Sequence, residues 1–147
     1  MNREAAENSI TQFYQICHES GLSVTPQRLA IYRAVVESTD HPSPELIYQR
    51  VRDVFPMISL ATVHKTLETF TQKGLLSRVT QLHNMVHYDP LTKRHHHAIC
   101  SRCKKIIDIE SSELDSISIP SKVTADNILI DFSVHFNIIC AECRELT

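Results

Sequence analysis

Tryptophan is absent, glycine occurs only 2 times in 147 residues, and no low-complexity run interrupts the chain. With a 42% apolar fraction, these absences argue against a disordered or fibrous chain and predict a folded globular protein. No apolar run approaches the roughly 18 residues of a membrane span, so a soluble chain with no membrane partner is expected. The opening M-N-R-E-A-A-E-N lacks the basic-then-apolar pattern of a secretory signal. A cytoplasmic, reducing location follows as the expectation, in which cysteines bind metal more often than they form disulfides. Charge asymmetry is missing too. The net charge is −2, with 8 Lys and Arg against 9 Asp and Glu up to Asp89, and 7 against 8 after it. Bulk electrostatics thus lends nucleic acid no support, and a DNA-binding reading must rest on motif and local geometry.

What is present is concentrated in one stretch, His95 to Cys103, which reads H-H-H-A-I-C-S-R-C. On an extended segment side chains alternate, so His95 and His97 face one way and His96 the other. Cys100 and Cys103 have the spacing of two thiolates on one tetrahedral zinc. They are matched by Cys140 and Cys143 near the C-terminus. Two such pairs predict one structural zinc with four thiolate ligands and no open position. The 36 residues between the pairs exceed the usual zinc-ribbon gap of about 15–20, so they must form structure of their own. Cys17 is read as a small core hydrophobe.

The length suits one domain or two small ones. Helical spacing of Ile10, Phe13, Tyr14 and Cys17 predicts a helix over 3–20, ended by Gly21. Thr25-Pro26 and Ser43-Pro44 each read as N-cap and first-turn proline. The first opens a helix with an apolar face of Leu29, Ile31, Tyr32, Val35 and Val36; the second opens one running to Phe55 before Pro56. Ser59 caps a fourth helix, closed by Gly74, with the stripe Leu60, Val63, Leu67 and Phe70. Its other face carries Ala61, Thr62, Lys65, Glu68 and Thr69. Two extended runs, 75–80 and 85–89, follow around Q-L-H-N. Three helices and a hairpin predict a winged helix-turn-helix, with the helix after Ser59 in the recognition position. The bland alternative is a helical domain that touches no DNA.

The pattern changes at Asp89-Pro90-Leu91-Thr92. We assign a DNA-binding domain to 1–88, a hinge to 89–93 and a small α/β unit to 94–147, an α+β chain overall. The second unit should hold strands near 95–99, 104–110 and 127–139, with a short helix at 111–118. Its core is thin, so a metal staple or a partner subunit is expected. His18, His83, His87 and His135 are read as surface or hydrogen-bonded residues. His95 and His97 need carboxylate company to hold iron or manganese. Asp108, interrupting an apolar run, and Asp89 are the candidates.

These residues together resemble the ferric uptake regulator family of bacterial metal-dependent repressors. The likeness rests on T-P-Q-R (25–28), H-P-S-P-E (41–45), S-L-A-T-V-x-x-T-L (59–67), H-x-H-A-I-C-x-x-C and the terminal C-x-x-C, and spans nearly the whole chain. It implies a homodimer on double-stranded operator DNA, with contacts from Thr62, His64, Lys65, Thr66, Thr69 and Arg28. It also implies a regulatory Fe(II) or Mn(II) site at His41, Asp89, His95, His97 and Asp108. The match is nearest the peroxide-responsive members. Iron-sensing members usually carry glutamate at the positions of Asp89 and Asp108, and many have a further late-strand His, where this chain has Phe132. The resemblance implies sensing of hydrogen peroxide through Fe(II)-catalysed oxidation of a ligand histidine, His41 or His95. One departure is His64-Lys65-Thr66, where the family usually has a tyrosine after A-T-V; a changed operator preference is the simple consequence.

Three other readings compete. The first is an iron- or zinc-responsive uptake repressor of the same family. The second is a zinc-dependent hydrolase using His41, His95 and His97, which lacks a separate general base. The third is a zinc-stapled adaptor that binds no DNA.

Overall fold

The computed structural model describes residues 3–38, 41–80, 86–90 and 93–146. The chain divides into two compact units, Met1–Thr92 and Lys93–Thr147. The first contains α1 (Arg3–Ser20), α2 (Pro26–Val36), α3 (Pro44–Val51), α4 (Leu60–Gln72) and a hairpin of β1 (Ser77–Thr80) and β2 (Val86–Asp89).

Local chemistry sets most of these boundaries. Thr25, Ser43 and Ser59 each accept a backbone N–H from three residues on, at 3.2, 3.3 and 3.1 Å. Such caps satisfy donors that a helix N-terminus otherwise leaves orphaned. Gly21 and Gly74 take φ of +68° and +76°, the left-handed conformation that closes a helix without a Cβ clash. The third helix is shorter than its pattern suggests. The N–H groups of Val54 and Phe55 both return to the carbonyl of Val51, so the chain turns before Pro56 is reached.

The core of this unit is an aromatic cluster. Phe13 stacks on Tyr32 at 4.7 Å, and Phe70 meets them edge-on at 5.6 and 5.9 Å. Val63, Leu67 and Phe70 of the expected α4 stripe are buried, while Leu60 is half-buried. Leu75 and Leu76 do not begin the hairpin; they plug the core ahead of β1. The hairpin pairs from Ser77↔Asp89 to Thr80↔Val86, and its expected Q-L-H-N turn lies outside the described residues. Helices followed by a two-stranded wing make this a winged helix-turn-helix.

The second unit is a three-stranded sheet in the order β4 (Ile106–Ile109), β3 (His96–Cys100), β5 (His135–Ile138). β3 is central, antiparallel to β4 and parallel to β5, and all five of its residues are buried. Three short helices accompany it: α5 (Ser112–Asp115), α6 (Ser121–Thr124) and α7 (Ala141–Glu145). The expected long strand over 127–139 is cut down to four residues. Ile128 and Ile130 are 91% and 92% exposed, and among the described residues no strand lies beside them to complete a ladder. Among the described residues, the buried apolar side chains here are Ala98, Ile99 and three cysteines, against fifteen core residues in the helical unit's main cluster. Among the described residues no helix is long and apolar enough to cross a membrane.

Candidate metal centres and nucleic-acid face

The four cysteines converge at one end of the sheet. Cys100 ends β3, and a tight knuckle follows, in which the Lys104 N–H returns to the Cys100 carbonyl and Lys104 takes φ 65°. Cys140 is the N-cap of α7, which places Cys143 in its first turn. All four sulfurs lie within 4.8 Å of one another. Cys103 Sγ and Cys140 Sγ are 3.7 Å apart, close to the edge of about 3.8 Å for a tetrahedron with Zn–S of about 2.3 Å.

Protonation in the cluster is divided. Backbone N–H groups of Cys140 and Cys103 pull the Cys100 thiol down to about 6. The Cys140 thiol hydrogen bond and burial push Cys143 up to about 12. Four thiolates this close repel one another unless a cation joins them, and the cluster fits a zinc site. Arg102 donates to the carbonyl of Cys143 at 2.9 Å and ties the knuckle to α7.

In the second unit, two imidazoles turn toward one carboxylate. Nδ1–H of His95 donates to the Lys93 carbonyl at 2.7 Å, which leaves Nε2 as the lone-pair nitrogen. That Nε2 sits 3.5 Å from Asp108 Oδ1, and His97 Nε2 sits 3.3 Å from the same oxygen. The two histidine side chains are 4% and 7% exposed, and Asp108 is 36% exposed. Register explains the convergence, because His97 pairs directly with Asp108 across β3 and β4.

His96 points the other way and has both nitrogens engaged. Its Nε2 donates to Asp115 at 3.1 Å, and its Nδ1 accepts the Val134 N–H at 3.0 Å. The ring is therefore an anchor between β3 and the chain ahead of β5.

In the first unit, His41 Nε2 lies 2.9 Å from Asp89 Oδ2, with both side chains almost fully buried. Asp89 is the last residue of β2. Alternation sends Tyr88 into the core and turns His87 and Asp89 the opposite way. His87 Nδ1–H donates to the His41 carbonyl at 2.5 Å, and the Tyr88 N–H donates to Pro42 at 3.1 Å. His87, read from sequence as an ordinary polar residue, thus braces the segment that carries His41. His83 lies outside the described residues.

The recognition-position helix offers a polar cleft. Thr62, Lys65, Thr66 and Thr69 of α4 face Ser23, Thr25, Gln27 and Arg28 at the start of α2. Two cations, several hydroxyls and no carboxylate line it, so the field is locally positive in a chain of net charge −2. Arg28 is braced by the carbonyl and hydroxyl of Ser23 at 2.7 and 2.8 Å. Thr66 is buried in the floor at 9% exposure, while His64 stands outside the cleft with Nε2 3.8 Å from Glu45. Ser23 and Gln27 were not singled out from sequence; hydroxyls flanking a helix start are too common to signal a ligand.

The chain matches known proteins along nearly its whole length. The profile of the Ferric uptake regulator family covers residues 19–130. The peroxide-responsive repressor PerR of Staphylococcus epidermidis is 30% identical over 142 residues, 97% of this chain and 95% of the relative. The Campylobacter jejuni peroxide stress regulator superposes with a TM-score of 0.65 at 28% identity, covering 88% of this chain and 98% of that one. The fold is also that of the Helicobacter pylori ferric uptake regulator Fur, with a TM-score of 0.76 at 24% identity over 98% and 97% of the two chains. The chain therefore belongs to the ferric uptake regulator family, as a metal-responsive transcriptional regulator and not an enzyme.

Proposed function

We propose that this regulator represses transcription as a homodimer on operator DNA and senses hydrogen peroxide through ferrous iron held by His41, Asp89, His95, His97 and Asp108. The observation that carries the reading is the pair of buried imidazoles whose Nε2 atoms, 3.5 and 3.3 Å from one Asp108 oxygen, present ligand atoms together. Neutral imidazole and carboxylate suit iron, and with few waters a redox-active ion is held close to oxidisable rings. His41 with Asp89 is the second buried pair of the same chemistry. A structural zinc on Cys100, Cys103, Cys140 and Cys143 keeps β3 in place beside it.

Bound ferrous iron supplies the redox reactivity toward peroxide that manganese lacks. The protein's own residues supply the rest: Lys93 fixes the tautomer of His95, and His87 braces the backbone of His41. An ion that binds only one arrangement of the helical and metal-binding units shifts the population toward it, and operator DNA must raise metal affinity by the same factor. In the second unit Ile107, Ile117, Val123, Ile128, Leu129, Ile130, Phe136 and Ile139 are exposed. So much uncovered apolar surface on so small a unit supports a second copy as its cover.

The deciding measurement is duplex DNA binding with Mn(II) and with Fe(II), each with and without hydrogen peroxide. Release is expected only from the iron form, with one added oxygen on a peptide containing His41 or His95. Peroxide-insensitive binding by the iron form would instead make the chain an iron- or zinc-responsive uptake repressor.

A further inference from the structure

Of the four sulfurs that converge at the end of β3, one is open to attack. Cys100, Cys140 and Cys143 are buried, whereas Cys103 is exposed. The difference follows from the path of the chain. Cys100 ends the central strand and Cys143 sits in the first turn of α7, but Cys103 lies in the knuckle, where residues 101–105 are all exposed. Backbone donors are also shared unequally. The N–H groups of Cys140, Cys103 and Arg102 turn to the Cys100 sulfur, the first of them at 3.4 Å, while the Cys103 sulfur accepts that of Lys105.

The surroundings of that sulfur suit a nucleophile. By themselves the thiols share protons: the Lys105 N–H pulls the Cys103 thiol down, but the proton shared with Cys100 and partial desolvation outweigh it and push the thiol up. A thiol that coordinates zinc is deprotonated outright, so in the zinc site the exposed sulfur is a thiolate. Arg102, Lys104 and Lys105 flank it in sequence, and the Lys105 ammonium is held by Glu142 at 3.1 Å. Reactive cysteines occupy such partly exposed, electropositive settings, whereas buried structural ones are inert. Cys17, 1% exposed in the helical core, is of the inert kind.

We propose that Cys103 is a modification site through which soft electrophiles of the α,β-unsaturated carbonyl class release the structural zinc, an assignment that rests on the zinc reading of the four cysteines. The Cys103 sulfur adds to the β carbon of the electrophile. An S–C bond forms, the electron pair of the C=C double bond moves toward the carbonyl, and water supplies the proton that completes the product. The addition is redox-neutral and needs no oxidant. The alkylated sulfur no longer carries the charge that holds zinc, three thiolates remain, and the ion is lost. β3 then loses its tie to α7 in a unit whose buried apolar set is small. This chemistry differs from that of peroxide and uses none of the proposed sensing histidines.

The test treats the full-length, zinc-loaded protein with an equimolar amount of N-ethylmaleimide, follows zinc release with a chromogenic chelator and locates the first adduct by peptide mapping. The adduct is expected on Cys103, with zinc released in step with it and Cys17 unlabelled. Cys103→His keeps a zinc-ligand atom and removes the exposed sulfur; it should hold zinc and slow the maleimide-driven release about tenfold or more. A first adduct on Cys100, Cys140, Cys143 or Cys17, or labelling of Cys103 with zinc fully retained, would overturn the assignment. The unsubstituted protein decides this even if the variant fails to fold. Purified protein without zinc would remove the zinc site and the assignment with it; bound zinc with another sulfur labelled first removes the assignment alone.

Discussion

Single side chains in this protein are held in defined hydrogen-bonded positions by where the backbone places them. His95 is oriented by the Lys93 carbonyl, and His96 has both nitrogens engaged, by Asp115 and by the Val134 N–H. Neither fact is legible in H-H-H; alternation separates the middle ring from its neighbours, but the partner that locks each ring comes from outside the run. Tyr32 shows the same control by burial. It is 3% exposed and stacked on Phe13, and burial, helped by nearby Cys17, pushes its phenol up to about 12. The neutral phenol is thus favoured by folding. Its contribution is complete below the ordinary value near 10 and disappears as pH rises through about 12. Alkaline unfolding followed with phenolate absorbance should show one tyrosine ionising late, together with loss of structure. Tyr32→Phe should remove that late step; a late step that survives would place the buried phenol elsewhere.

At the scale of elements, starts were legible and ends were less so. Thr25-Pro26, Ser43-Pro44 and Ser59 announce helices because capping is chemistry within four residues. The end of α3 was not readable, since R-D-V-F continues an acceptable helical pattern and the turn is made by carbonyl 51. β5 was overestimated because an apolar run looks like a strand whether or not a neighbour exists to pair with it. The parallel pairing of β3 with β5 was invisible for a related reason: it depends on the register of segments far apart in sequence. On α4, the polar face was legible from its period, but the cleft with α2 was not. Lys65→Ala should weaken operator binding uniformly across sequences and reduce the slope of log affinity against log salt by about 1. An unchanged slope would mean that Lys65 meets no phosphate.

On the scale of the whole molecule, the two units differ in what keeps them folded. The helical unit has an aromatic core; the second has Ala98, Ile99 and cysteines. Burying a large aliphatic side chain is worth about 1.5–3 kcal/mol, whereas zinc binding in small modules is worth roughly 10–16 kcal/mol. A zinc held by the four cysteines would therefore dominate the second unit, and the uncovered apolar surface fits the second copy proposed above. Replacing Ile128 and Ile130 by Asp should leave zinc content unchanged and shift sedimentation toward a single copy. Retention of a dimer would assign those residues to solvent.

The parallel pairing of β3 with β5 also bears on how the chain folds. His97 meets His135 only after everything between them has been threaded back, whereas the hairpin of the first unit closes over a few residues. Distant pairings form slowly, because loop entropy is lost before contacts are gained. Cys100 and Cys140, lying just beyond that pairing, let a captured zinc close the long loop before the strands zip. Refolding should then proceed in two phases: a fast one for the helices, indifferent to metal, and a slow one whose rate rises with zinc concentration. Stopped-flow refolding across a zinc series checks this, and a single metal-independent phase would show that the sheet assembles without its ion.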